Sequence, residues 1–240
     1  MTDHRHGAPF SFRTGMVALV VAASSLASIS CGGSSPGPAP ALDSFAVAVA
    51  DVSGESTVRQ AESTPWKAAA TGEILGVAGA VKTGADGAVG LDLPGGGLSR
   101  ILASSEVAVL EIARAAAESP SSLGLEVLRG AGLFRWEPGS GELTVRTPHV
   151  NAAVLGTEFA LQVSGAGTRL IVATGVVRVE RGGREQTVRG GYECVTPPQG
   201  PPALPTGVRL IGGAEGLAGE LERFVDAAGK SRQRRSIERE

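Results

Sequence analysis

The sequence predicts an all-β domain of many short antiparallel strands, built as a sandwich or a solenoid-like stack, with a short C-terminal amphipathic helix. Three observations carry this. Glycine supplies 35 of 240 residues, about twice its usual share near 7%, and it clusters between apolar runs. Those runs alternate apolar with small or polar residues, the period of a half-buried strand. Turn signals separate them by roughly 8–12 residues, the rhythm of all-β sandwiches and barrels and not of βαβ units. With 42% hydrophobic and 19% charged residues, the chain is neither a disordered polyelectrolyte nor a polytopic membrane protein. A formal net charge of −2 supplies no basic field, so no nucleic-acid partner is expected.

The amino terminus reads as a secretory signal over residues 1–30. Arg5 and Arg13 precede the apolar run Met16–Ala27. That run ends near Ile29, leaving roughly 14 apolar residues where a membrane-spanning helix needs about 20. Ser28-Ile29-Ser30-Cys31-Gly32 follows, and it resembles the lipobox of bacterial lipoproteins, which implies lipidation of Cys31. Ser30 keeps the small residue before the cysteine, whereas Ser28 stands where leucine is usual. The alternative is ordinary cleavage after Ser25-Leu26-Ala27, which leaves a soluble periplasmic protein. Gly32 in place of Asp resembles lipoprotein signals that release to the outer membrane, facing the periplasm or the cell surface.

Residues 31–44 form a tether, because Gly, Ser, Pro and Ala offer almost no bulk to bury. If Cys31 is acylated, Cys194 remains as a lone, small, buried side chain. If it is not, Cys31 and Cys194 could pair. No CxxC or Cys/His cluster occurs, so no metal site and no cofactor is expected.

Residues 45–197 hold the strands. Phe45–Val52 alternates, Ser53-Gly54-Glu55 interrupts, and Ser56–Gln60 resumes, as a hairpin would. Ile74–Lys82 is followed by Thr83-Gly84-Ala85-Asp86-Gly87, whose Gly and Asp suit the positive φ of a tight turn. Val89, Leu91 and Leu93 then alternate with Gly90 and Asp92. Further strands are expected at 98–102, 107–112, 123–128, 133–136, 143–147, 152–163, 168–173, 176–180, 187–189 and 192–196. Residues 113–118 could form a helical turn instead, since alanine favours helix.

Two blocks within this region carry a family resemblance. Ala80-Val81-Lys82-Thr83-Gly84, followed by a glycine turn and a strand, resembles the opening V-(R/K)-T-G of FecR domains, with Trp66 where many members place a tryptophan. Val145-Arg146-Thr147-Pro148-His149-Val150-Asn151-Ala152-Ala153-Val154-Leu155-Gly156-Thr157-Glu158-Phe159 is similar to the family's V-x-T-P-x-A-x-x-x-V-x-G-T-x-F. Gly175–Val179 and Arg189-Gly190-Gly191 follow at suitable distance. The likeness spans roughly residues 47–197 and implies a FecR-like β domain. Read as physics, the motifs are architectural: Pro148 suits a strand start, and Gly156-Thr157 lets the chain turn before Phe159 enters the core.

A second proline linker covers residues 198–206. Over residues 207–240 a short strand leads into a helix with Leu217, Leu221, Phe224, Val225 and Ala228 on one stripe. A frayed basic tail is expected from Lys230. The stripe packs on the β domain or meets a partner.

For function, these residues point to a non-catalytic envelope lipoprotein that binds or scaffolds an envelope protein or polysaccharide, held to the membrane through Cys31. The resemblance supplies an alternative, a periplasmic signalling component related to FecR-type sigma-factor regulators. Only about 15 residues precede the apolar segment, so direct transmembrane regulation is not expected. An envelope hydrolase is the contrasting class. His149 is the one histidine past the signal, and neither Glu118 with Glu126 nor Glu180 with Glu185 shows catalytic spacing. Gly212–Gly219 matches neither GxGxxG nor GxxxxGK(S/T). No catalytic residue is assigned.

Overall fold

The computed structural model describes residues 46–114, 121–204, 206–207 and 216–237. The signal, Cys31 and its tether lie outside them. The described strands are β1 (Val47–Ser53), β2 (Ser56–Arg59), β3 (Lys67–Ala68), β4 (Ile74–Leu75), β5 (Ala80–Thr83), β6 (Ala88–Leu93), β7 (Gly97–Ile101), β8 (Glu106–Ala113) and β9 (Ser122–Trp136). After them come β10 (Glu142–Arg146), β11 (Asn151–Val154), β12 (Thr157–Ser164), β13 (Gly167–Thr174), β14 (Val176–Arg181), β15 (Arg184–Arg189), β16 (Tyr192–Thr196), β17 (Thr206–Gly207) and helix α1 (Gly216–Ile237).

Pairing sorts them into two sheets. Sheet A runs β4-β1-β6-β7-β9-β12-β13-β16-β17. Sheet B runs β3-β2-β5-β8-β9-β10-β11-β14-β15. All pairs are antiparallel except β9 with β10. β9 belongs to both sheets: its first half pairs in sheet B and its second half in sheet A. The switch falls at Gly130, whose φ of +82° bends the strand without ending it.

The inward residues of both sheets interdigitate as one core. Val58, Val81, Leu125, Leu143, Val154 and Val177 come from sheet B, and Val89, Ile101, Phe134, Phe159, Leu161 and Val172 from sheet A. Phe134 and Phe159 stack with centroids 5.0 Å apart. Trp136 is buried, and its indole N–H donates to the carbonyl of Gly141 at 3.0 Å. On the far face of sheet A, Ala131, Leu133, Ala160 and Ile171 lie under Leu217, Ala218 and Leu221 of α1, giving a third layer. No helix of the described residues is long and apolar enough to cross a membrane.

The expected elements are present, with several corrections. β1 and β2 are not a hairpin, because each pairs in a different sheet; Ser53–Glu55 is a crossing between layers. The single strand expected over 74–82 is broken by Gly76–Gly79, where Ala78 has a φ of +62°. The strand expected over 152–163 breaks at Leu155-Gly156, and the two expected over 123–136 are one. Gly84 and Gly87 are not at positive φ; they are small because other backbone lies against them. Ala113 closes β8, while residues 115–120 lie outside the described set, as do 208–215, where the expected C-terminal strand and the glycine loop fall. Residues 198–206 do not form an open linker throughout, since Ala203 donates to the carbonyl of Val195 at 3.0 Å and Thr206 pairs with Glu193. α1 continues to Ile237, so the tail backbone is helical to that point.

Candidate functional site

Thr83 and Thr157 of the two motif blocks sit where the chain crosses between sheets, whereas Thr147 and His149 lie in a turn within sheet B. Thr83 ends β5, and its buried hydroxyl donates to the carbonyl of Leu102 at 2.6 Å and accepts the N–H of Ser105 at 2.9 Å. Ser105, fully buried, accepts the N–H of Ala131 at 2.9 Å beside the bend in β9. Gly84 donates to the carbonyl of Glu55 at 2.7 Å, which stacks this crossing on the one at Ser53–Glu55. Thr157 repeats the device in the second block: its hydroxyl donates to the carbonyl of Val176 at 3.0 Å and accepts the N–H of the same residue at 3.3 Å. Each threonine satisfies backbone groups that the crossing would leave buried and unpaired.

His149 lies in the turn between β10 and β11, half-buried. Its Nδ1 meets the hydroxyl of Thr168 at 3.0 Å, and Thr168 meets the hydroxyl of Thr147 at 2.9 Å. Thr147 also accepts the N–H groups of His149 at 3.1 Å and Val150 at 3.0 Å. This chain ties the β10–β11 turn of sheet B to β13 of sheet A. Nδ1 thus faces a hydroxyl that is itself held by a second buried hydroxyl, with no carboxylate in the chain to orient the ring as a base. Among the described residues no group of three or more His, Cys, Asp or Glu is placed to hold a metal ion.

Cys194 faces the core from β16, 2% exposed, and its thiol donates to the carbonyl of Ala203 at 3.2 Å. Burial pushes the thiol above its ordinary value, against a smaller opposing effect of Thr196. Pairing it with Cys31 would require opening this packing.

Two surfaces remain. Between α1 and sheet A run adjoining grooves of about 350 and 520 Å³, which share Arg100 and Glu220 as lining. Arg100 also meets Asp51 at 3.2 Å across the floor, where Gly90 leaves room for the carboxylate. Farther along the sheet, Arg135 is buried between Glu137 at 2.9 Å and Glu158 at 3.6 Å. The outer face of sheet B carries Thr144, Arg146, Arg178 and Glu180, half or fully exposed. At one end of it the Trp66 ring lies 4.2 Å from the Lys82 ammonium and 5.2 Å from the Arg59 guanidinium. The pairings of Arg100 with Asp51 and of Arg135 with Glu158 leave no trace in the charge spacing along the chain, because the partners lie on strands far apart in sequence.

A two-sheet β domain whose crossings are built by V-K-T-G and G-T-x-F blocks is the class that these features define. Residues 79–178, from the turn before β5 into β14, match the family model described as FecR protein. It is also similar to two crystal structures of a proposed anti-sigma factor from Parabacteroides distasonis ATCC 8503, at 17% and 16% identity and a TM-score of 0.45. Each match covers 54% of this chain and 59% of that one, so this chain spans little more than half the length of those proteins. No curated protein matches the sequence.

Proposed function

We propose that this chain is a non-catalytic signalling component of a bacterial cell envelope, exported and tethered through lipidated Cys31, whose FecR domain acts by binding an envelope protein. The observation that carries the reading is the FecR match over residues 79–178, a family whose best-known members relay signals to sigma factors. The location of the motifs supports it. Thr83 and Thr157 are spent on backbone at the crossings and Thr147 on the β10–β11 turn, so recognition falls to the surfaces of the sandwich and the α1 groove. The envelope polysaccharide is the weaker candidate partner, because the outer face of sheet B offers charges and small residues but only Trp66 as a stacking ring.

The test has two parts. Deleting the gene should change a discrete set of sigma-factor-dependent transcripts, and photo-crosslinking from position 144 or 178 should capture a discrete envelope protein. Unchanged transcripts with crosslinks to glycan alone would return the reading to a scaffold. Turnover of an envelope glycan or peptide that vanishes in His149→Ala would replace it with an enzyme. The tether is tested separately: Cys31→Ser should abolish metabolic lipid labelling and release the protein from membranes, and unchanged labelling would remove Cys31 from the proposal.

A further inference from the structure

We infer that the free edge of β15 is a self-association surface, and that two copies of this chain join there as a continuous antiparallel sheet about a two-fold axis at Thr187. Among the described residues β15 pairs on one side only, with β14. The two-residue loop Gly182-Gly183, with φ of +57° and +76°, is a type I′ turn, which makes Arg181 and Arg184 a hydrogen-bonded pair. Bonding then alternates down the hairpin, so the even-numbered residues of β15 direct N–H and C=O groups to β14. Gly190, one step beyond the strand, donates to Gly175 at 3.0 Å and fixes the same parity. The backbone groups of Glu185, Thr187 and Arg189 therefore point away from the sheet, and all three residues are exposed.

That parity leaves few registers for self-pairing. An axis at Glu185 sets glutamate against glutamate. Axes at Gln186 or Val188 leave one of the three outward residues opposite a glycine beyond the strand. An axis at Thr187 sets Thr187 against Thr187 of the second copy and Glu185 against its Arg189, twice over. All three outward residues then exchange both of their backbone bonds, and Arg184 faces Gly190 without a like charge opposite.

The charges of β15 fit this partner better than they fit their own hairpin. Within the chain Glu185 stands directly opposite Glu180, and Arg184 opposite Arg181, both like-charge pairs. Among the described residues the counter-charge on Glu185 is Arg178, 4.0 Å away and 62% exposed. A self-complementary charged edge also excludes other strands, which is how an exposed edge avoids indiscriminate pairing. One six-residue edge buries less area than a standard stable interface, so the association is weak and concentration-dependent.

The inference stands apart from the signalling role and is tested without it. Sedimentation of the full-length chain over a concentration series should show a monomer–dimer equilibrium. Thr187→Pro removes a backbone donor that faces outward, a position where an edge strand accepts proline, and should leave monomer with an unchanged far-UV spectrum. Arg189→Glu should weaken the dimer about tenfold or more, and adding Glu185→Arg to it should restore association. A wild-type chain that stays monomeric throughout, or an assembly indifferent to both Thr187→Pro and Arg189→Glu, overturns the proposal. If Thr187→Pro loses its fold, the charge swap decides alone.

Discussion

Thr83 and Ser105 are joined side chain to main chain across 22 residues: the buried hydroxyl of one accepts the N–H of the other at 2.9 Å. The same hydroxyl donates to Leu102 at 2.6 Å, so a single side chain closes two backbone groups of the neighbouring crossing. Thr83→Val keeps the volume and orphans both. The expected loss is about 1–3 kcal/mol of unfolding free energy, read as a lower urea midpoint at unchanged slope. A variant as stable as the wild type would show that water or a shifted turn takes over these bonds.

Close approach, and not dihedral angle, explains Gly87 in the turn that follows the first motif. A Cβ at Gly87 would lie 2.2 Å from the carbonyl oxygen of Glu55, while one at Gly165 would meet nothing within 4 Å. Gly87→Ala must therefore push two stacked crossings apart and should cost about 1–3 kcal/mol, the range of overpacking. Gly165→Ala in the β12–β13 turn should be neutral or slightly stabilising. Thermal melts of the two variants side by side check the contrast, and equal melting temperatures would count against a close-packed turn stack.

These turns mark the boundary of what the sequence made legible. Period-two alternation located β7, β8, β10, β13, β14 and β16 to within about two residues, because each has one face in the core, and the stripe from Leu217 located α1. Layer assignment was not legible. A crossing such as Ser53–Glu55 and a hairpin loop such as Arg181–Arg184 use the same residue types, and the difference lies in which distant strand supplies the partner. The expected strands 123–128 and 133–136 are one, β9, for a related reason: the chain bends at Gly130 and continues, with the hydroxyl of Ser105, supplied from the preceding crossing, accepting the N–H of Ala131 at the bend. At the candidate site, Thr83, Thr147 and Thr157 were visible as motif members and their architectural role was anticipated. The ion pairs of Arg100 with Asp51 and of Arg135 with Glu158 are not, since those carboxylates arrive from other strands.

His149 offers a check on the hydrogen-bond chain itself. Thr147 accepts two backbone N–H groups, so both its lone pairs are engaged and its proton is shared between the carbonyl of Val150 at 3.1 Å and the hydroxyl of Thr168 at 2.9 Å. Thr168 then donates to Nδ1 of His149 at 3.0 Å. Neutral His149 should carry its proton on Nε2, measurable from the ring ¹⁵N shifts. Thr168→Val should remove that preference at a cost of about 1 kcal/mol, since Thr147 retains the carbonyl of Val150 as an acceptor at 3.1 Å. A proton found on Nδ1 would reverse the direction of the chain.

Cys194 links packing to alkaline pH. Burial raises its thiol above the ordinary 9.0 in the folded chain, whereas the unfolded chain keeps the ordinary value. Between those two values the unfolded state has lost the proton and the folded state still holds it, so stability falls as pH rises. The contribution is complete below pH 9.0 and lost progressively above it. Cys194→Ala removes the titration and should flatten this part of the stability curve, at the cost of a small cavity in the core. In the same window iodoacetamide should leave the native thiol of Cys194 unmodified and label it once urea unfolds the domain. Rapid labelling of Cys194 in the folded protein, in a Cys31→Ser background, would mean that the 197–204 segment opens readily and that the thiol is accessible after all.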